Sequence, residues 1–272
     1  MFHAKYFLVL VGAYLVLNCG FQQVAGGSGA GNPPLATVAL AVKANSISKT
    51  GLMKTLIGSI RNPDGTFTIK DSVGNNVTLR KIEALVEGID FTLPIAIHCD
   101  NFRVSECMDG EFFVPGPFII DLLTGKSQPT LAKIKIPPGV YKKIGFELIK
   151  SDTDTQGAYI PTLQNIIIRG KIGADSGIGR MFKIALNLRD GLDFLDSTGI
   201  KLRTDTVNTV FLGLVVDKWL QGTDLRKCVD SAVVTDTGGA ALLEGDNFCL
   251  GLGKRIRQNI EFSGGLDTTE EF

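Results

Sequence analysis

Histidine is nearly missing from this chain: there are two in 272 residues, and one of them, His3, stands at the N-terminus. A serine triad needs a histidine base beside its nucleophile, which leaves only His98. Its neighbour Cys99 is no partner, because consecutive side chains on a strand point to opposite faces. Asp175-Ser176-Gly177 reads as a loop tip, not a nucleophile. No Cys-x-x-Cys pair occurs, which argues against zinc. One Trp and four Tyr make a poor platform for sugar rings. A carboxylate hydrolase drawn from Asp90, Glu111, Asp121, Asp190, Asp193 and Asp217 is therefore the weakest of the readings kept. Neither sign of charge is in excess, with 28 basic and 28 acidic side chains, so no surplus exists to neutralise phosphates and nucleic acid is excluded as a partner. The Gly-rich run Gly170 to Gly177 lacks the Gly-Lys-Ser/Thr of a phosphate loop and reads as a turn.

What is present is most telling at the start. One lysine, Lys5, precedes an unbroken apolar run from Tyr6 to Leu17, followed by Asn18 and Cys19. A short basic region, an apolar run of about a dozen residues and a small-residue exit make a secretory signal, too short for a resident membrane helix. Val16-Leu17-Asn18-Cys19 resembles the lipobox of bacterial lipoproteins, which implies cleavage before Cys19 and a covalent lipid on it. Asn18 departs from the Gly, Ala or Ser usual before the cysteine. Cleavage there removes one base and no acid, leaving a net charge of −1. Residues 1–18 are thus expected to be a signal peptide. Residues 19–34, rich in Gly, Ser and Pro, are expected to be a flexible tether.

With Cys19 reserved for lipid, Cys99, Cys107, Cys228 and Cys249 remain. An even number in an exported chain implies two disulfides in one of three connectivities. Pairing by locality joins Cys99 to Cys107 and Cys228 to Cys249.

From Leu35 the texture changes to short β-branched runs separated by turn signals. Ala36 to Val42 is the first expected strand. Asn62-Pro63-Asp64-Gly65 and Gly74-Asn75-Asn76 flank an alternating run, Thr66 to Lys70, which predicts a hairpin with Val77 to Leu79. Ala84 to Leu93 continues the pattern, and the alternation of Ile95, Ile97 and Cys99 predicts more strand, with Cys99 inward and His98 outward. Pro137-Pro138-Gly139 forces a turn before a strand that buries Tyr141, Ile144, Phe146 and Leu148. Further strands are expected at 165–170, 182–188 and 206–216. Many short strands at spacings near ten residues predict an all-β fold over residues 35–222, an antiparallel immunoglobulin- or transthyretin-like β-sandwich.

Residues 223–272 read as a cystine-containing segment with a short C-terminal helix, since Leu252, Ile256 and Ile260 recur at helical spacing. Asp246 or Asn247 would cap it, and Lys254, Arg255 and Arg257 form its solvated face. Asp152, Asp154 and Gln156, followed by Gly157, match the opening of a calcium loop, but the twelfth position is Leu163 where a bidentate Glu is needed. Calcium is thus a weak candidate, and no other cofactor is expected.

Phe118 to Gly125, the Ile136-Pro-Pro-Gly-Val-Tyr141 turn, Trp219 and the closing helix with Asn259 resemble a broad group of uncharacterised bacterial lipoproteins with a β-sandwich domain of unknown function. The resemblance implies a lipid-anchored protein of the bacterial cell envelope, in the outer membrane, and assigns no catalytic residue. The expectation is a non-enzymatic protein tethered to the membrane through Cys19, presenting its domain to a protein or glycan. The alternative is a subunit of a surface filament, assembled by pairing of an edge strand or of Ala36 to Val42.

Overall fold

A computed structural model describes residues 33–45, 60–102, 106–108, 110–131, 133–149, 164–173, 179–188, 191–244 and 248–267. Cys19, the calcium candidates Asp152, Asp154 and Gln156, and the expected caps Asp246 and Asn247 lie outside them. The described residues are mostly strand, with 53% in strands against 14% helical, which makes the fold all-β.

Strands β1 (Ala36–Asn45), β2 (Ile60–Arg61), β3 (Phe67–Lys70) and β4 (Asn76–Thr92) lead into β5 (Cys107–Met108), β6 (Glu111–Asp121), β7 (Ser127–Gln128) and β8 (Ile134–Ile136). Then follow β9 (Gly139–Leu148), β10 (Ile166–Ile172), β11 (Arg180–Leu186), β12 (Leu192–Leu202) and β13 (Val207–Val215). Helix α1 (Leu225–Ser231), β14 (Ala241–Glu244), helix α2 (Phe248–Glu261) and β15 (Gly264–Asp267) close the chain. Among the described residues one sheet has four strands in the order β15-β13-β1-β8; the other has eleven, with β12-β9-β4-β10-β11-β14 as its main path.

The long strand β4 organises the large sheet. Its first half lies between β3 and β10 and its second half between β6 and β9, all antiparallel. Register shifts between Val86 and Gly88 toward both β6 and β9, so Glu87 is a bulge that re-aims the strand where its neighbours change. One hydrophobic cluster takes Val38 and Val42 from β1, Leu212 from β13, Ile89 and Phe91 from β4, and Ile144 and Phe146 from β9. Both sheets therefore share a core.

The sheets are mixed, which corrects the antiparallel expectation: β1 runs parallel to β13, and β11 parallel to β14. Parallel neighbours need a long crossover rather than a tight turn. The crossover between β1 and β13 is nearly the whole large sheet, a connection that local turn signals do not reveal. β13 pairs with β1 along Thr37 to Asn45, and β8 takes the first residues of its other side. Residues after 222 also complete the sheets, since β14 extends one and β15 the other.

Expectation and structure part again at Pro94. β4 stops at Thr92, Ile95 is 99% exposed, and Cys99 begins a short 3-10 turn, so the alternation of Ile95, Ile97 and Cys99 is not a strand. Proline has no amide for a ladder, and the segment runs on without one. His98 is exposed.

Aromatic side chains fix the sheet ends. Tyr141, fully buried, stacks edge-on against Phe91 and donates its hydroxyl to the Pro137 carbonyl at 2.7 Å, tying β9 to the Pro-Pro-Gly turn before it. Burial holds the phenol above its ordinary range. Tyr141→Phe is expected to cost about 1–1.5 kcal/mol in urea unfolding, the net value of one hydrogen bond plus a stranded carbonyl. Trp219, also buried, donates its indole N–H to Ser263 Oγ at 2.9 Å and anchors the end of α2.

Helix α2 buries Leu252, Ile256 and Ile260 and exposes Lys254 and Arg255. The helix α1 was not visible in the hydrophobic pattern. It rests on local polar chemistry: Asp224 caps it by accepting from Lys227 N at 3.1 Å, and the buried Asp71 carboxylate accepts from Leu225 N at 3.1 Å. Asp71 also accepts from Val73 N and Asn75 N, so one side chain joins the β3–β4 turn to the helix.

Candidate functional site

Of the six carboxylates considered above, the structure brings three together on one face of the large sheet. Asp90 on β4 is opposite Phe113 on β6 and Gly145 on β9, and Gly145 is opposite Asp193 on β12. Phe113, Asp90, Gly145 and Asp193 therefore form one row across four strands. Ile89 and Phe91, on either side of Asp90 in sequence, are fully buried in the core, which turns Asp90 to the other face. Glu111 lies two residues from Phe113 on β6, and Lys143 and Glu147 flank Gly145 on β9.

Two glycines shape this face. A Cβ on Gly145 would come within 2.3 Å and 2.5 Å of the Asp90 carboxylate oxygens. The carboxylate thus lies over bare backbone. A Cβ on Gly88 would meet the Phe113 ring at 2.0 Å, so that ring leans across β4 beside the aspartate. The result is a shelf with the ring at one side and the carboxylate at its centre.

The electrostatics are unusual for a sheet surface. Asp90 is only 9% exposed, and no hydrogen-bond donor among the described residues reaches it. Its pKa is raised from 3.8 to about 6, first by desolvation and then by the charges of Glu111, Asp193 and Glu147, with Lys143 opposing. Lys143 is committed elsewhere: its ammonium lies 3.0 Å from Asp193 Oδ2, and that bond raises its pKa. Among the described residues the shelf therefore holds four carboxyl groups against one lysine. Among the described residues no three His, Cys, Asp or Glu side chains converge as metal ligands, so these acids act on one another at a distance.

The other carboxylates are dispersed. Asp121 stabilises a turn, accepting from Leu123 N at 3.0 Å and Thr124 Oγ1 at 2.9 Å. Asp217 lies in the 3-10 turn Val216–Lys218; burial pushes its carboxyl up, and its Oδ1 has no hydrogen-bond partner among the described residues. Asp190 lies outside the described residues.

The cysteines join as Cys99–Cys107 and Cys228–Cys249. The second bridge lines a cavity of about 260 Å³ between α1 and α2, with Lys227, Leu252 and Arg255 also on its wall. Arg255 donates to the Gly222 carbonyl and so closes one side of it. Arg257 faces Glu261 one turn on, at 3.9 Å. No helix of the described residues is long and apolar enough to cross a membrane.

Comparison with protein-family models, curated proteins and solved structures gave no match. The chemistry has to be argued from the site itself. Gly145, Phe113, Lys143 and Glu147 were not singled out in the sequence. Asp90 between Ile89 and Phe91 was the available signal: an acid inside an apolar strand, with glycine at 88 and 145 to make room.

Proposed function

We propose that this protein is a non-enzymatic lipoprotein of the bacterial cell envelope, anchored in the outer membrane through a lipid on Cys19. Its β-domain, an immunoglobulin- or transthyretin-like sandwich, is held off the membrane by the tether and binds a protein or glycan. The reading is carried by one conjunction: an export-type N-terminus exits at a cysteine, and the body behind it has its four remaining cysteines joined in two disulfides. Disulfides form and persist in oxidising compartments outside the cytosol. The resemblance to envelope lipoproteins of unknown function supports the same address. Binding as the domain's role is supported by the shelf around Asp90, which spends stability on a buried acid with no donor among the described residues.

Metabolic labelling with a clickable fatty acid, in a bacterial host, tests the anchor. The wild-type chain takes up label and Cys19→Ala takes up none. Equal labelling of the two chains, or none in either, overturns it.

A further inference from the structure

We propose that the shelf around Asp90 binds a primary ammonium group, such as a lysine side chain of a peptide. The proposal rests on reading the β-domain as a binding module and is independent of the lipid anchor.

Four observations point to that ligand. Asp90 is a nine-tenths buried carboxylate with no donor among the described residues, and a buried charge is stable only when paired. Among the described residues the one cation acting on Asp90, Lys143, is held by Asp193 at 3.0 Å, so none of them supplies the partner. The surrounding acids bias the site toward positive charge: Glu111 from β6, Glu147 from β9 and Asp193 from β12 all act on Asp90. Among the described residues no three of them converge as ligands of a bare metal ion. An ammonium needs only one close acceptor, which Asp90 supplies, while the other acids favour its charge from a distance.

Phe113 supplies the fourth observation. Its ring lies beside Asp90, placed there by the cross-strand register and by the missing side chain of Gly88. A carboxylate next to an aromatic ring is a pairing that suits an organic ammonium, which gains a salt bridge from one and a cation–π contact from the other. The ammonium donates to Asp90 in the field of Glu111, Glu147 and Asp193, and its alkyl stem lies along the Phe113 ring. Gly145 leaves the carboxylate its place over the β9 backbone, because any side chain there would strike it.

The binding should depend on pH through Asp90. The charged groups facing it are Glu111, Lys143, Glu147 and Asp193, and together with desolvation they place its titration at about 6. The acid must be ionised to pair with an ammonium, so affinity rises as pH increases through that value.

The test is calorimetric or NMR titration of the full chain carrying Cys19→Ala with Nα-acetyl-lysine amide, using Nα,Nε-diacetyl-lysine amide as the uncharged control. Saturable binding is expected for the first compound and none for the second. Asp90→Asn should weaken it at least about tenfold, Phe113→Leu by a smaller factor, and Asp121→Asn, in a separate turn, not at all. Lowering the pH from about 7.5 to about 5 should weaken binding to the wild type by about tenfold and leave Asp90→Asn unmoved. Equal affinity of wild type and Asp90→Asn, equal binding of the diacetylated control, or no saturable binding at millimolar amine overturns the proposal. Because the chain tested has no anchor, a negative labelling result at Cys19 does not bear on this outcome.

Discussion

Asp90→Asn is expected to stabilise the folded protein by up to about 3 kcal/mol at pH 8 and by only about 0.5 kcal/mol at pH 4. The folded carboxyl titrates at about 6 against its ordinary 3.8. Below both values the side chain is neutral whether the chain is folded or not, and the substitution changes little. Between them the unfolded chain releases its proton while the folded one keeps it, so the wild type loses stability as the pH rises. Above the folded value the penalty is complete, at about 1.4 kcal/mol per pH unit of separation. Desolvation is the largest cause, and Glu111, Asp193 and Glu147 add to it. An amide removes the charge at nearly constant volume. Urea unfolding of both proteins from pH 4 to pH 8 measures the effect. A wild type as stable as Asp90→Asn at pH 8 would show that the carboxylate is compensated after all.

That result bears on function, because the same substitution is expected to strengthen the fold and weaken amine binding at least about tenfold. A residue whose removal stabilises the chain is not there to hold it together, and such trade-offs concentrate at binding and active sites. A purely structural role predicts the opposite sign for the stability change.

How much of this was legible from the sequence depends on the range of the interactions. The hairpin of β3 and β4 was visible, because Asn62 to Gly65 and Gly74 to Asn76 are local turn chemistry and Gly65 and Gly74 take positive φ. The inward set Tyr141, Ile144, Phe146 and Leu148 was visible for the same reason, since a period of two needs no partner to be read. Strand β12 was not, because its buried residues Leu192, Phe194, Ile200 and Leu202 are interrupted by Asp196 to Gly199, where the pairing with β9 slips. β15 was hidden for another reason. Gly264 packs against the Asp193 backbone, where a Cβ would come to 2.1 Å, and a glycine reads as a turn unless the approaching strand is known. The shelf lies beyond the same limit. Asp90, Phe113, Gly145 and Asp193 come from four strands, and the row exists only once register is fixed.

Removing the Cys228–Cys249 bridge is expected to be the most costly of the covalent changes, at about 3–4 kcal/mol for Cys228→Ala with Cys249→Ala. The bridge spans 21 residues, and the loop-closure entropy it removes from the unfolded chain corresponds to about 3 kcal/mol. Its place in the structure adds to that. Cys228 is buried in the main core cluster, on the helix that also buries Leu225 and Val229, and its partner starts the helix that buries Leu252, Ile256 and Ile260. Without the bridge the two helices are held by that packing and by the link from Arg255 to Gly222. The Cys99–Cys107 bridge closes only eight residues at the end of the large sheet, which corresponds to about 2.5 kcal/mol, and both of its cysteines are partly exposed. Urea unfolding of the two double variants under identical conditions should therefore rank the first below the second in stability. Because β14 and β15 flank α2 in the chain and each completes a sheet, loss of the longer bridge should also speed amide exchange in β11 and β13, the strands they pair with. The reverse ranking, with β11 and β13 unchanged, would mean that packing of α2 alone secures the C-terminal strands.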